Sequence, residues 1–145
     1  MDYELITPKT DWKATDHLTY VDWNRIVNNL YFLKEAGIAF GLYPDLAGVN
    51  LTSAMTDKKE AGWLFAEDLN AVENDLENIN QASAKLDIGT KQTFVAYGKA
   101  ITYAELNRIE SATLELYIDY TSKDPSRRVG TDWILVPTAN DIGLI

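Results

Sequence analysis

The chain has 145 residues, enough for one sizeable core, and at 46% hydrophobic and 24% charged residues it has an ordinary globular balance. It contains no cysteine, which excludes disulfides and cysteine-ligated metals, and its formal net charge of −9 opposes binding to a phosphate backbone. Met1 is followed by Asp2 and Glu4 without a basic or apolar leader pattern, and no apolar run reaches the ~18 residues of a membrane span, so neither a secretory signal nor a membrane partner is expected.

The first element is announced by LTYVDWNRIVNN, residues 18–29. Thr19 can cap a helix and Asp22, three residues on, can reach back to the cap, which is capping-box spacing. Leu18 before the cap and Trp23 after the first turn are placed to clasp as a hydrophobic staple. Trp23, Ile26, Leu30 and Leu33 continue as a narrow apolar stripe, and the pattern predicts a helix over 19–36. Gly37, Gly41, Pro44 and Gly48 then read as a helix stop and a long loop over 35–50. Residues 51–63 are expected to be irregular or to form a short helical turn.

A degenerate copy of the first string follows at 64–79, LFAEDLNAVENDLENI, matching Leu64 to Leu18, Asp68 to Asp22 and Asn70 to Asn24 but lacking the capping Thr and the Arg. Its stripe is Leu69, Val72, Leu76 and Ile79, and it predicts a helix over 65–86. Within 87–100, Thr93–Tyr97 reads as an extended lead into the third element. That element opens on ITYAELNRIESA, residues 101–112, with Thr102 and Glu105 in the cap positions and Ile101 and Leu106 in the staple positions. Leu106, Ile109 and Leu116 carry its stripe, Thr113 standing where a fourth apolar residue would fall, and a helix over 102–121 is predicted. The copies are unevenly spaced, so this is a recurring helix type and not a solenoid of fixed period. After a polar turn, Trp133–Val136 could form a short strand that Pro137 confines to an edge. The expected fold is mainly all-α in one domain: three amphipathic helices packed together, long irregular loops, and a short β element near the C-terminus.

Asn24, Asn70 and Asn107 recur at one helical position, where Asn is a mediocre helix former. Such an amide can bond a neighbouring loop or helix and fix its register; recognition of another molecule is the alternative. Arg25 and Arg108 follow directly, with Glu67, Asp68, Glu73, Asp75 and Glu77 of the second helix, or the nearby Asp22 and Glu105, as their expected partners. An acidic helix face meeting a partner's basic patch is the functional alternative. His17, the only histidine, stands beside Asp16 in a stretch read as exposed linker. No nucleophile elbow, glycine-rich phosphate loop or metal-ligand spacing stands out, so no catalytic, cofactor or metal residue is assigned. Trp63, Trp133, Ile134 and Leu135 are candidate interface residues, since aromatic and apolar groups suit both protein contacts and sugar platforms; the apolar C-terminal stretch that holds the last three either finishes the chain's own core or docks onto a neighbouring subunit.

Residues 8–33, PKTDWKATDHLTYVDWNRIVNNLYFL, resemble a recurrent P-K-T-x-W … D-x-h-x-x-x-D-x-N-R-I-x-x-N element of structural proteins of bacteriophages and prophages of Gram-positive bacteria, generally assigned to the tail, baseplate or host-adsorption apparatus. Pro8, Lys9, Thr10, Trp12, Asp16, Asp22, Asn24, Arg25, Ile26 and Asn29 carry the match, and Ile101–Ile109 holds a shorter version. The resemblance implies a non-enzymatic virion component located in the tail and made in the bacterial cytoplasm. It would be an adaptor that forms homo-oligomers and contacts other virion structural proteins, without a nucleic-acid partner. A receptor- or carbohydrate-binding module recognising a host surface glycan is the second reading.

Overall fold

A computed structural model describes residues 1–59, 64–98 and 100–124. The chain is mainly α-helical: α1 (Tyr20–Ala39), a 3-10 turn (Pro44–Gly48), α2 (Ala66–Gln81) and α3 (Tyr103–Lys123), with no strand among the described residues. The expected strand over 133–136 lies outside the described residues, as do Trp63, Trp133, Ile134 and Leu135.

Each helix begins within a residue of its expected start, and for local reasons. Thr19 accepts the Asp22 N–H, and Asp22 Oδ2 accepts the Thr19 N–H at 3.1 Å, closing the capping box of α1. Thr102 accepts the Glu105 N–H in α3, but Glu105 Oε1 receives Arg108 Nε at 2.7 Å, so the box expected there is only half made. In α2 the reverse half survives: Asp68 Oδ2 accepts the Phe65 N–H at 2.9 Å. The staple residues Leu18, Leu64 and Ile101 are partly buried against the core that holds Trp23, Leu69 and Leu106.

The helix ends differ more from expectation. α2 stops at Gln81, short of residue 86, because Asn80 turns the chain: its Nδ2 donates to the Leu86 carbonyl at 2.8 Å, its Oδ1 accepts the Leu86 N–H at 2.9 Å, and Lys85 takes a left-handed φ of 54°. α1 runs through Gly37 to Ala39, and the reversal falls at Gly41, with φ 74°. Gly37 is buried, and a Cβ there would collide with Leu46 of the 3-10 turn and lie 3.3 Å from the Tyr120 ring. Helix propensity alone would make Gly37→Ala stabilising by about 1 kcal/mol. Crowding reverses the sign: a net loss of about 1–2 kcal/mol is expected in urea unfolding.

The three helices run parallel, and each packs on both others. Arg25 early in α1 bonds Glu110 of α3, while Tyr43, just past α1, donates to Asp119 near the end of α3 at 2.7 Å. Arg108 of α3 reaches Glu73 of α2, and Tyr120 near the end of α3 lies beside Ser83 just past α2. Parallel neighbours need long returns, which residues 40–65 and 82–102 provide. The three stripes are buried in one core, at matching positions along the helices: Trp23, Leu69 and Leu106; Ile26, Val72 and Ile109; Leu30, Leu76 and Thr113; Leu33, Ile79 and Leu116. Thr113 satisfies its hydroxyl on the Ile109 carbonyl at 3.0 Å, so a polar atom in the core costs little.

Candidate functional site

The three signature asparagines do one job three times. Asn24 Nδ2 donates to the Thr56 carbonyl at 2.9 Å while its Oδ1 accepts the Thr56 N–H at 2.8 Å. Asn70 brackets Phe94 in the same way, at 2.8 and 2.7 Å. Asn107 brackets Trp12, at 3.0 and 2.7 Å. A flat primary amide presents one donor and one acceptor side by side, as a strand edge does, so each helix binds one residue of extended chain as a sheet would. The three bound segments, residues 6–12, 52–56 and 88–94, are straps that lie ahead of α1, α2 and α3.

The order of docking is cyclic. The strap before α2 binds Asn24 of α1, the strap before α3 binds Asn70 of α2, and the strap before α1 binds Asn107 of α3. The earlier part of each strap meets its own helix. Asn29 of α1 brackets Ile6 at 2.9 and 2.7 Å. Five residues beyond Asn70, as Asn29 is beyond Asn24, Asp75 of α2 accepts the N–H groups of Thr52 and Ser53 and both of their hydroxyls. The matching position of α3 is Ala112 and the matching strap residue is Ile88, both buried, and beside Ile88 the backbone of Gly89 lies close on the Arg108 side chain of α3. Each strap therefore fills the groove between its own helix and the preceding one, giving the single chain an internal threefold pattern.

Charge follows the same ring. Arg25 of α1 grips Glu110 of α3 with Nε on Oε1 at 2.8 Å and Nη2 on Oε2 at 2.7 Å, and also holds Asp22. Arg108 of α3 bonds Glu73 of α2 and holds Glu105. The third interface replaces both charges: the residue after Asn70 is Ala71, and three residues after Asn24 stands the buried Val27. Glu110 is buried yet fully bonded, because it also accepts the Lys9 N–H at 3.0 Å and Trp12 Nε1 at 2.7 Å. Burial pushes the Glu73 carboxyl above its ordinary range against the pull of Arg108. Hydrogen bonding to Glu110 raises the already high pKa of Arg25, so its charge is permanent.

Side-chain volume is complementary around the ring. Where the strap residue is large, Trp12 or Phe94, the helix residue just before the Asn is Leu106 or Leu69; where the strap residue is Thr56, the helix carries Trp23. Trp23 Nε1 also donates to the Ala54 carbonyl at 3.0 Å, which pins the second strap.

Asp22 links cap and ring. Burial would raise its carboxyl, but bonds from Thr19 and Arg25 outweigh burial and hold it below the ordinary value. An acid with a lowered folded pKa contributes stability above its unfolded pKa and loses it as pH falls through the folded value. Asp22→Ala is therefore expected to cost about 1 kcal/mol near pH 7 and little near pH 2, read as the shift in melting temperature at each pH.

The structure thus places Asn24, Asn70, Asn107, Arg25 and Arg108 in inter-element bonds, with Arg25 paired to α3 and not to the second helix. Glu110, Trp12 and Phe94 were given no such contact by the sequence, where Trp12 entered only through the resemblance; Asp75 was offered as a partner for arginine and binds a strap instead. The signal was present for the first three, in the shared Asn-x-x-Glu spacing of Asn70–Glu73 and Asn107–Glu110 and in the alignment of Ile6, Lys9 and Trp12 with Ile88, Lys91 and Phe94. Comparison with protein-family models, curated proteins and solved structures finds no match.

Proposed function

We propose that the chain is a non-enzymatic structural component of a bacteriophage virion, an adaptor in the tail or baseplate that works through subunit–subunit contacts. One observation carries this reading beside the sequence resemblance: the Asn-Arg signature spends its hydrogen-bonding capacity on holding straps and helices together. Asn24, Arg25, Asn107 and Arg108 each bond another part of the same chain. A second feature supplies the contacts. Because the helices are parallel, the exposed Val21, Phe65 and Tyr103 at the three helix starts lie at one end of the bundle, and the exposed Val95 and Tyr97 follow the strap that binds Asn70 near that end. An apolar, aromatic-rich end on an acidic body suits a protein interface.

Mass spectrometry of purified particles produced from the genome that encodes the chain tests the reading. The chain is expected among the virion proteins at a fixed stoichiometry; its absence from intact particles removes the proposal. The same exposed aromatics favour, as a second reading, a receptor- or carbohydrate-binding module of the adsorption apparatus. Glycan-array binding that is lost with Tyr97→Ala or Tyr103→Ala would establish that reading.

A further inference from the structure

The three straps dock alike but are not equivalent along the chain. The second and third bind the helix just before them, 32 and 24 residues away. The first must reach α3, 95 residues away, and so closes the ring between distant parts of the sequence. Its backbone is bonded by side chains of α1 and α3. The N–H groups of Asp2 and Tyr3 donate to Glu35, Asn28 donates to the Glu4 carbonyl, Asn29 brackets Ile6, and Asn107 and Glu110 take Lys9 and Trp12. It packs Tyr3 against Tyr31, the rings tilted at 43° with centroids 5.4 Å apart.

The piece that joins this strap to α1 is short and exposed. Its turn is held by the Asp16 N–H on the Lys13 carbonyl and the Lys13 N–H on Asp16 Oδ2, both at 2.9 Å, with Ala14 and Thr15 exposed at the tip. Lys9 adds an ion pair to Asp16 at 3.3 Å. If the turn straightens, residues 13–18 span up to roughly 20 Å. The strap then leaves its own groove and can lie in the identical groove of another molecule. Every bond to α1 and α3 is remade there, and only the bonds of the turn change.

We propose that the N-terminal strap, residues 1–12, is exchangeable: the closed single chain seats it in its own α1–α3 groove, and two chains whose turns open seat each strap in the groove of the other. The occupant follows from the chemistry of the groove. It recognises an isoleucine bracketed by Asn29 and, six residues on, a tryptophan bracketed by Asn107 with its indole N–H on Glu110, a pattern the chain itself supplies. A copy that gives up its strap leaves open the groove that receives one, so the contact is reciprocal and closes as a twofold dimer. The inference stands on this geometry and holds whether or not the chain is a virion component.

Shortening the turn tests it. In the full chain with Ala14 and Thr15 deleted, the strap cannot fold back, and the mass from multi-angle light scattering is expected to double relative to the parent with helical circular dichroism retained. Adding Trp12→Ala should return the mass to the parent value. A helical deletion variant that keeps the parent mass, or a doubled mass that survives Trp12→Ala, overturns the proposal. Should the deletion abolish helical signal, full-length Trp12→Ala and Asn107→Ala chains with the native turn are refolded together. One sound strap and one sound groove then meet across the pair, giving a heterodimer that melts above either variant alone; a mixture that melts as the sum of its parts overturns the proposal.

Discussion

Glu110→Ala is expected to lower stability by about 3–5 kcal/mol in urea unfolding, the largest loss for a polar substitution in this chain. Four donors converge on that carboxylate: Arg25 Nε, Arg25 Nη2, the Lys9 N–H and Trp12 Nε1. Its side chain is 2% exposed and that of Arg25 is 12%, so solvent screens the pair weakly. Removing the acid leaves Arg25 Nε and Nη2 and two strap donors without acceptors, only the Arg25–Asp22 bond remaining, and that is the source of the cost. The companion pair gives a control that the chain has already performed. Arg108→Ala should strand the buried Glu73, yet Arg108→Ala combined with Glu73→Val copies the Ala71 and Val27 positions of the third interface. The double variant is expected to lie within about 1 kcal/mol of the parent, a strongly non-additive result in a double-mutant cycle.

The second large effect belongs to Asn107. Asn107→Ala removes a donor and an acceptor from the Trp12 backbone and is expected to cost about 2–3 kcal/mol. Asn107→Asp should cost more, since it keeps an acceptor for the Trp12 N–H but sets a carboxylate oxygen against the Trp12 carbonyl, where an N–H stood at 3.0 Å. Hydrogen exchange separates this from a general loss of stability. The Trp12 amide should lose protection in either variant while the Phe94 amide, held by Asn70, keeps it. Equal deprotection of both amides would contradict a local bracket.

The helix starts were legible because caps and staples are local chemistry. Thr19 and Asp22 lie three residues apart, and no distant contact is needed to place them. The stripes were legible because apolar spacing on a helix is itself the packing pattern, and all four expected α1 residues, Trp23, Ile26, Leu30 and Leu33, are buried. The straps were not legible. Residues 52–56 and 88–94 bond through main-chain atoms to side chains 22 to 24 residues away or more, and a segment without periodicity of its own leaves no trace of that in composition. Arg25 was half legible: its bond to the nearby Asp22 was among those expected, but its second acidic partner lies 85 residues away on α3, while acids on the second helix offered an equally plausible charge match. The end of α2 was missed for a related reason, since Asn80 looks like one more polar helical residue until Leu86 is seen between its donor and acceptor.

The cyclic docking order has a consequence during translation. Two of the straps find their asparagines already made when they emerge, but Trp12 must wait until residue 107 has been joined to the chain, 95 residues later. At roughly 5–20 residues per second that wait is on the order of 5–20 seconds. Throughout it a tryptophan that ends 3% exposed stays bare beside an unfinished bundle. The nascent protein therefore passes through a sticky, incomplete stage on every ribosome, and neighbouring chains on one message would meet in that stage.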